Sequence, residues 1–295
     1  MGRSVYFQPE PEYRKAPGES QSNLKAILRS PAHYQVAKSR KFSPTPVMEM
    51  GTAVHCRVLE GDEEFEKRYV KKPEGLSLST KAGKEWKAEQ GGRIPLSTTD
   101  QYQSWDAVQG MTDSLRRLEW FSPDLWDEYY KHNEVSIYWH QQSIDCKARL
   151  DRLLLLSDRA VVVDVKTTDD VHPSVFRKKI FGGLNYLFQA GWYTEGTAAV
   201  YDLPTEFVFV AVSRNPPYGV ISATLEADAI EEAYRQTSEA RLRLRRCLDT
   251  GDWSPPGIDS ITMGLPSYYM SPIDAADRGT YNEDIESAFS IPDDL

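Results

Sequence analysis

Arg149-Leu150-Asp151 and, beyond a short turn, Val161-Val162-Val163-Asp164-Val165-Lys166-Thr167-Thr168 set the architecture of this chain. Residues 144–156 and 160–166 read as two strands, joined by a hairpin near Ser157-Asp158-Arg159. Val161, Val162 and Val163 form an unbroken apolar run, the mark of a strand buried on both faces. Side chains two apart in a strand share a face, so Asp164 and Lys166 point one way and Val163 and Val165 the other. Antiparallel pairing would bring Asp151 close to Asp164.

Around this centre, Glu134–His140 alternates like a third strand. A helical pattern runs from about 173 to 199, broken at Gly182-Gly183. Residues 206–213 and 219–224 read as strands and 226–249 as a long helix, with Gly251 just past its end. N-terminal to the strands, residues 1–20 are polar, Pro-rich and extended. Short helices are expected over 22–29 and 47–60, and further helices over 80–90 and 99–118 make a helical insertion spanning about 61–125. The order is helices, three strands, helix, two strands, helix. That predicts an α/β fold whose mixed central sheet is flanked by helices.

The chain has 295 residues, 40% of them hydrophobic and 11% aromatic, enough to bury a sizeable core. Its net charge of −9 argues against a basic nucleic-acid coat but not against a local acidic metal site. Ser271–Leu295 carries −6 of that charge, leaving −3 for the rest. Residues 256–295 are therefore expected to be an acidic tail beside one domain over 1–255, either solubilising or partner-binding. Cys56, Cys146 and Cys247 are far apart and form no C-x-x-C, so no iron–sulfur cluster is expected from them alone. No signal-peptide core and no run near the ~18 apolar residues of a membrane span are visible, which predicts a cytoplasmic protein with no membrane partner.

Asp151 and Asp164, with water and phosphate oxygens, would suit Mg²⁺ or Mn²⁺. Lys166 beside them could orient or deprotonate a water and stabilise negative charge. The alternative is a pair of acids at strand ends with a solvated lysine; a D-x-K occurs by chance about once in a chain this long. His55 becomes a further ligand only if its helix packs against the acids, and otherwise is an ordinary helical histidine. Glu134 is either another acid near the metal or a strand-end charge. Tyr186, Gln189 and Tyr193 share a helical face that could meet a nucleotide, or could be ordinary polar positions. Arg241, Arg243, Arg245 and Arg246 could track a DNA backbone, or simply complement a helix C-terminus.

Taken in order, Gly51-x-x-x-His55, Glu134, Asp151, Asp164-Val165-Lys166 and Gln189-x-x-x-Tyr193 resemble the RecB-like branch of the PD-(D/E)XK nucleases. Ser22-Asn23-Leu24-Lys25, Arg29-Ser30-Pro31-Ala32-His33-Tyr34, Met50–His55 and Lys81-Ala82-Gly83-Lys84 with Trp86 are similar to exonuclease VIII (RecE) and related phage proteins. The resemblance spans about residues 20–250. It implies a restriction-endonuclease-like core and a Mg²⁺-dependent 5′→3′ exonuclease on double-stranded DNA ends, leaving a 3′ single strand. It also implies a homo-oligomeric ring, trimer or tetramer, working with a single-strand annealing protein, in a bacterial or phage setting. By the same resemblance, Asp151, Asp164, His55 and the backbone carbonyl of Val165 hold metal. Lys166 positions the attacking water, with Glu134 a further acid of the catalytic centre. Gln189, Tyr193 and Tyr186 contact the DNA strand. Two metals about 4 Å apart would stabilise the entering and leaving oxygens. A 5′-phosphate pocket is expected at the start of the 22–29 helix, with Ser22, Lys25 and Arg29. Competing readings are another RecB-like nuclease, endonucleolytic or single-strand-specific, and a non-catalytic DNA-end-binding module.

Overall fold

The computed structural model describes residues 3–40, 43–98, 104–121 and 130–257. A three-residue strand, β1 (Ser4–Tyr6), and a short helix, α1 (Glu10–Lys15), open the chain. The expectation of an extended segment over 1–20 agrees with β1 but missed its pairing and the helix α1. A three-residue strand is too short to show alternation, and Pro11 is tolerated in the first turn of α1, where its absent N–H costs no helical bond.

The helix anticipated over 22–29 is a single α-turn, α2 (Gln21–Leu24), tightening into a 3₁₀ turn at Lys25–Leu28. Ser30 caps α3 (Pro31–Ser39), its hydroxyl accepting from the His33 amide at 3.2 Å. Thr45 likewise caps α4 (Pro46–His55), which widens into a π-helical turn over Cys56–Glu60. Next come α5 (Asp62–Arg68), β2 (Tyr69–Lys71), α6 (Lys81–Glu89), β3 (Ile94–Leu96) and α7 (Trp105–Arg116). The insertion is thus not purely helical, because β2 and β3 pair in parallel as a separate two-stranded sheet. The front of the helix expected over 99–118 falls partly on residues 99–103, outside the described residues.

The remaining elements are β4 (Tyr130–Gln141), β5 (Ile144–Leu155), β6 (Ala160–Thr168), α8 (Pro173–Phe181), α9 (Tyr186–Tyr201), β7 (Thr205–Ser213), β8 (Val220–Thr224) and α10 (Ala227–Thr250). The six-stranded sheet has the order β1-β4-β5-β6-β7-β8. All neighbours are antiparallel except β6 and β7, whose parallel pairing requires the crossover made by α8 and α9. The sheet is mixed and helix-flanked, as the element order implies.

β6 is central and buried on both faces. Val161, Val163 and Val165 pack with Met50 and Val54 of α4 and Met111 of α7. Ala160 and Val162 join Phe188 and Trp192 of α9 on the opposite side. Each fully buried valine contributes about 1.5–3 kcal/mol, so the apolar run anchors the sheet before any polar group is placed. Alternation then puts Asp164 and Lys166 beneath α9.

Gly51 explains how α4 comes so close to β6. A Cβ built on it would lie 3.1 Å from Thr167 Oγ1, tighter than ordinary contact. Gly51→Leu is therefore expected to push α4 off β6, costing about 1–3 kcal/mol by overpacking and displacing His55 one turn later. Chemical denaturation measures the first effect and Mn²⁺ affinity the second; a variant with native values in both would contradict this placement.

The chain divides into two units, Met1–Pro256 and Gly257–Leu295. The acidic tail expected over 256–295 lies, from residue 258 onward, outside the described residues.

Candidate metal centre

Strand register lines up three acids. In β4–β5, Asn133 pairs with Arg152 and Val135 with Leu150, which places Glu134 across from Asp151. In β5–β6 the last pair is Arg152 with Val163, so the next step sets Asp151 across from Asp164. Here the ladder is interrupted. Glu134 has a φ of +54°, and Leu150 and Leu153, three apart, both join the cluster beneath α9, so the β5 alternation changes phase at Asp151. The Asp151 carboxylate fills the break: its Oδ2 accepts the Val165 N–H at 2.8 Å.

His55, at the end of α4, closes the group. Its Nδ1 is 3.7 Å from Asp151 Oδ1 and its Nε2 is 3.0 Å from the Val165 carbonyl oxygen. His55, Glu134 and Asp151 each offer a ligand atom, all within 4.8 Å of one another. Asp164 is 1% exposed; its Oδ1 accepts from Gln189 Nε2 at 2.7 Å, and its Oδ2 pairs with the Lys166 ammonium. The ammonium in turn lies 5.1 Å from the centre of the Tyr186 ring. Asn185 starts α9 where these contacts need it: in a left-handed conformation, its side chain accepts the Phe188 amide at 3.1 Å.

The structure therefore brings His55, Glu134, Asp151, Asp164, Val165, Lys166, Tyr186 and Gln189 together at one sheet position. Gln189 and Tyr193 are both buried, with Gln189 engaged by Asp164 and Tyr193 packed 6.3 Å from Phe207. In this arrangement Gln189 orients the carboxylate.

Charge is unbalanced in this pocket. Burial pushes the Asp164 carboxyl up to about 6; Lys166 opposes the shift and Asp151 adds to it. Asp151 is also raised, first by burial, with His55 lowering it and Glu134 raising it. Burial works against the Lys166 charge, but Asp164 and Asp151 outweigh it, and its pKa ends above the ordinary lysine value. Crowded, under-neutralised carboxylates with an imidazole and a carbonyl form a donor set that fits a hard divalent cation such as Mg²⁺ or Mn²⁺. The sign of the pH effect follows. The metal-free fold favours neutral Asp164, so that stabilisation is present below about pH 4 and lost as pH rises through 6. A metal held by Asp164 would need the carboxylate and would have to displace this proton. The rise in Tm caused by Mn²⁺ is expected to be small at pH 5 and to grow through pH 7; equal rises at both would contradict the assignment.

Of the expected phosphate-pocket residues, Lys25 faces the site. Its Nζ donates to the Leu184 carbonyl at 3.0 Å, and burial, then the Lys166 charge, lower its pKa. Ser22 is exposed, its hydroxyl 3.1 Å from that of Ser20, and Arg29 is exposed. The sustained helix whose dipole would favour an anion there is absent, because the α-helical part is one turn. The basic tract of α10 is largely consumed internally. Arg241 is fully buried, bonded to Glu195 and Gln142; Arg243 reaches the Leu28 carbonyl, and Arg245 pairs with Asp249. A mid-helix arginine facing the core reads in sequence just like one facing solvent.

One residue at the site escaped the sequence reading. Arg149 Nε donates to Glu134 Oε2 at 2.6 Å. The signal was Lys147-x-Arg149-x-Asp151, whose period of two puts both cations on the face of β5 opposite Cys146, Ala148 and Leu150.

No curated protein matches the chain. The structure resembles that of a protein from Eubacterium rectale named "Putative exonuclease", with 12% identity and a TM-score of 0.52, over 82% of this chain and 86% of that one. At that identity the likeness shows the fold. A match to protein VC1899 from Vibrio cholerae has 10% identity over 86% of this chain and 60% of that one, but its TM-score of 0.21 carries no argument. The PD-(D/E)XK resemblance of the motifs is nevertheless borne out at family level: residues 20–257 match the model described as a PDDEXK-like domain of unknown function, DUF3799, and the chain belongs to that family.

Proposed function

We propose that this protein is a Mg²⁺-dependent nuclease that degrades double-stranded DNA from its ends in the 5′→3′ direction, leaving a 3′ single strand. The observation that carries the reading is the cluster of His55, Glu134 and Asp151, from a helix and two strands, beside Asp164 of β6 with its paired Lys166. The Val165 N–H accounts for one oxygen of Asp151, but not for the crowding of Glu134 and His55 around it. Exonucleolytic action, polarity and a ring assembly with a single-strand annealing protein rest on the motif resemblance.

His55, Glu134 and Asp151 would hold the metal, joined by Asp164 and the Val165 carbonyl. When bound, it lowers the pKa of a water and neutralises charge on the phosphodiester. Gln189 holds Asp164 in one orientation from α9, and the Val165 N–H does the same for Asp151. Lys166 remains an ammonium at neutral pH, since the two aspartates raise its pKa despite burial. Its part is thus to donate, orienting the attacking water and stabilising phosphate charge, rather than to remove a proton. Lys25, which feels the Lys166 charge, lies on the side where it would meet phosphate.

The test is linear duplex DNA labelled at the 5′ or 3′ end, incubated with the purified protein in Mg²⁺ or EDTA, with circular duplex as the endonuclease control. Label released first from 5′ ends, only with Mg²⁺, is the expected result. Cleavage of circles would redirect the reading to an endonuclease, and no Mg²⁺-dependent loss of DNA would overturn it.

A further inference from the structure

The segment Ser4–Glu19 precedes the family-matched residues, yet it is bonded to the two strands that carry Glu134 and Asp151. β1 pairs with Ser136–Tyr138 of β4, and Gln8 bonds to the Tyr138 hydroxyl. Lys147 Nζ donates to the carbonyls of Tyr13, Arg14 and Ala16 at 3.0, 3.3 and 2.6 Å, and Glu19 bridges backbone groups of Asp145 and Lys147. The remaining pin is Arg149. Its Nη1 donates to the Gln8 carbonyl at 2.5 Å while its Nε holds Glu134 Oε2. Arg149 and Glu134 are only 16% and 19% exposed, so the pair is shielded rather than a mobile surface bridge.

Glu134 needs such support. It sits at the ladder break with a left-handed backbone, and its carboxylate must stay within reach of His55 and Asp151. A guanidinium binding two acceptors at once is a rigid fork, which a lone charge could not replace.

We propose that Arg149 is a positioning residue that couples the N-terminal segment to the metal centre. By holding Gln8 and Glu134 together, it makes the packing of residues 4–16 favour metal binding, and metal binding favour that packing in return. The inference rests on the metal-centre reading above.

The experiment uses the full chain without DNA. Mn²⁺ affinity is measured by calorimetry, and hydrogen exchange is followed over residues 4–16 with and without Mn²⁺. In the native protein, Mn²⁺ is expected to slow exchange in this segment. Arg149→Met is expected to weaken Mn²⁺ binding by about 10–100-fold, as loss of a ligand's supporting partner commonly does, and to abolish the exchange response. Arg149→Lys, which keeps the charge but not the fork, should fall between and serves if the Met variant does not fold. Lys147→Met loosens the segment without touching Glu134, and is expected to weaken Mn²⁺ binding by a smaller factor. Native Mn²⁺ affinity in both Arg149 variants, or a segment indifferent to Mn²⁺ in the native protein, would overturn the coupling alone. If the native protein binds no Mn²⁺, the metal-centre reading falls and the coupling with it.

Discussion

Lys166→Ala is expected to lower DNA cleavage by about 10²–10⁴-fold while leaving the protein folded and able to bind Mn²⁺. The candidate donors His55, Glu134 and Asp151 do not depend on Lys166, so a metal would keep them. What disappears is the ammonium paired with Asp164. Because the aspartates keep this group charged, it contributes by donating to water or phosphate oxygens, and alanine has no substitute for that. Asp164 also loses the cation that opposes its raised pKa, so Mn²⁺ binding by the variant should shift to higher pH. Lys166→Met is a useful companion because it keeps the stem against Tyr186. Gel assays of both variants, with circular dichroism and Mn²⁺ titration, separate loss of chemistry from loss of structure. Either variant cleaving at more than about a tenth of the native rate would remove Lys166 from the mechanism.

Asp151→Asn should have a two-sided effect. The side-chain oxygen of asparagine can still accept the Val165 N–H, so the strand break keeps its filling. The charge that would bind metal is gone. The loss of several kcal/mol of metal-based stabilisation corresponds to about a 10³-fold fall in cleavage at 1.36 kcal/mol per decade. The Mn²⁺-induced rise in Tm should vanish as well. Without metal, however, the variant is expected to melt at a higher temperature than the native protein at pH 7. The native chain buries Asp151 beside Glu134 and Asp164, and each raises its pKa or has its own raised by it. Removing one carboxylate relieves that repulsion and the cost of burying a charge. A metal-free Asn variant that melts below the native protein would show that the acids are not strained by their proximity.

Much of this molecule follows from local patterns. The apolar run Val161–Val163 identified the central strand, because burial on both faces removes the polar half of the alternation. Period two placed Asp164 and Lys166 on one face, and helical spacing placed Tyr186, Gln189 and Tyr193 on another. Strands 206–213 and 219–224 and the helix ending before Gly251 were equally visible, since each is long enough for its period to repeat. Asp151 required one further step, a hairpin whose register is constrained by its turn.

Other features depend on partners distant in sequence. β1 exists because Ser136–Tyr138 supplies its hydrogen bonds, and β2 because β3 does. The same basic tract contains Arg241, which is buried against Glu195, and Arg245, which lies on the surface; only the packing of α10 on α9 distinguishes them. Whether His55 reaches Asp151 turns on how closely α4 can lie on β6, a matter of the missing Cβ at Gly51. Gln189 meeting Asp164 and Arg149 joining Gln8 to Glu134 are contacts between elements, with no periodic trace along the chain. The elements, their faces and the candidate acids are thus written along the chain, since they follow from nearest-neighbour geometry. Which side chains meet is settled in three dimensions, because it depends on the register between strands and the approach of helices to the sheet.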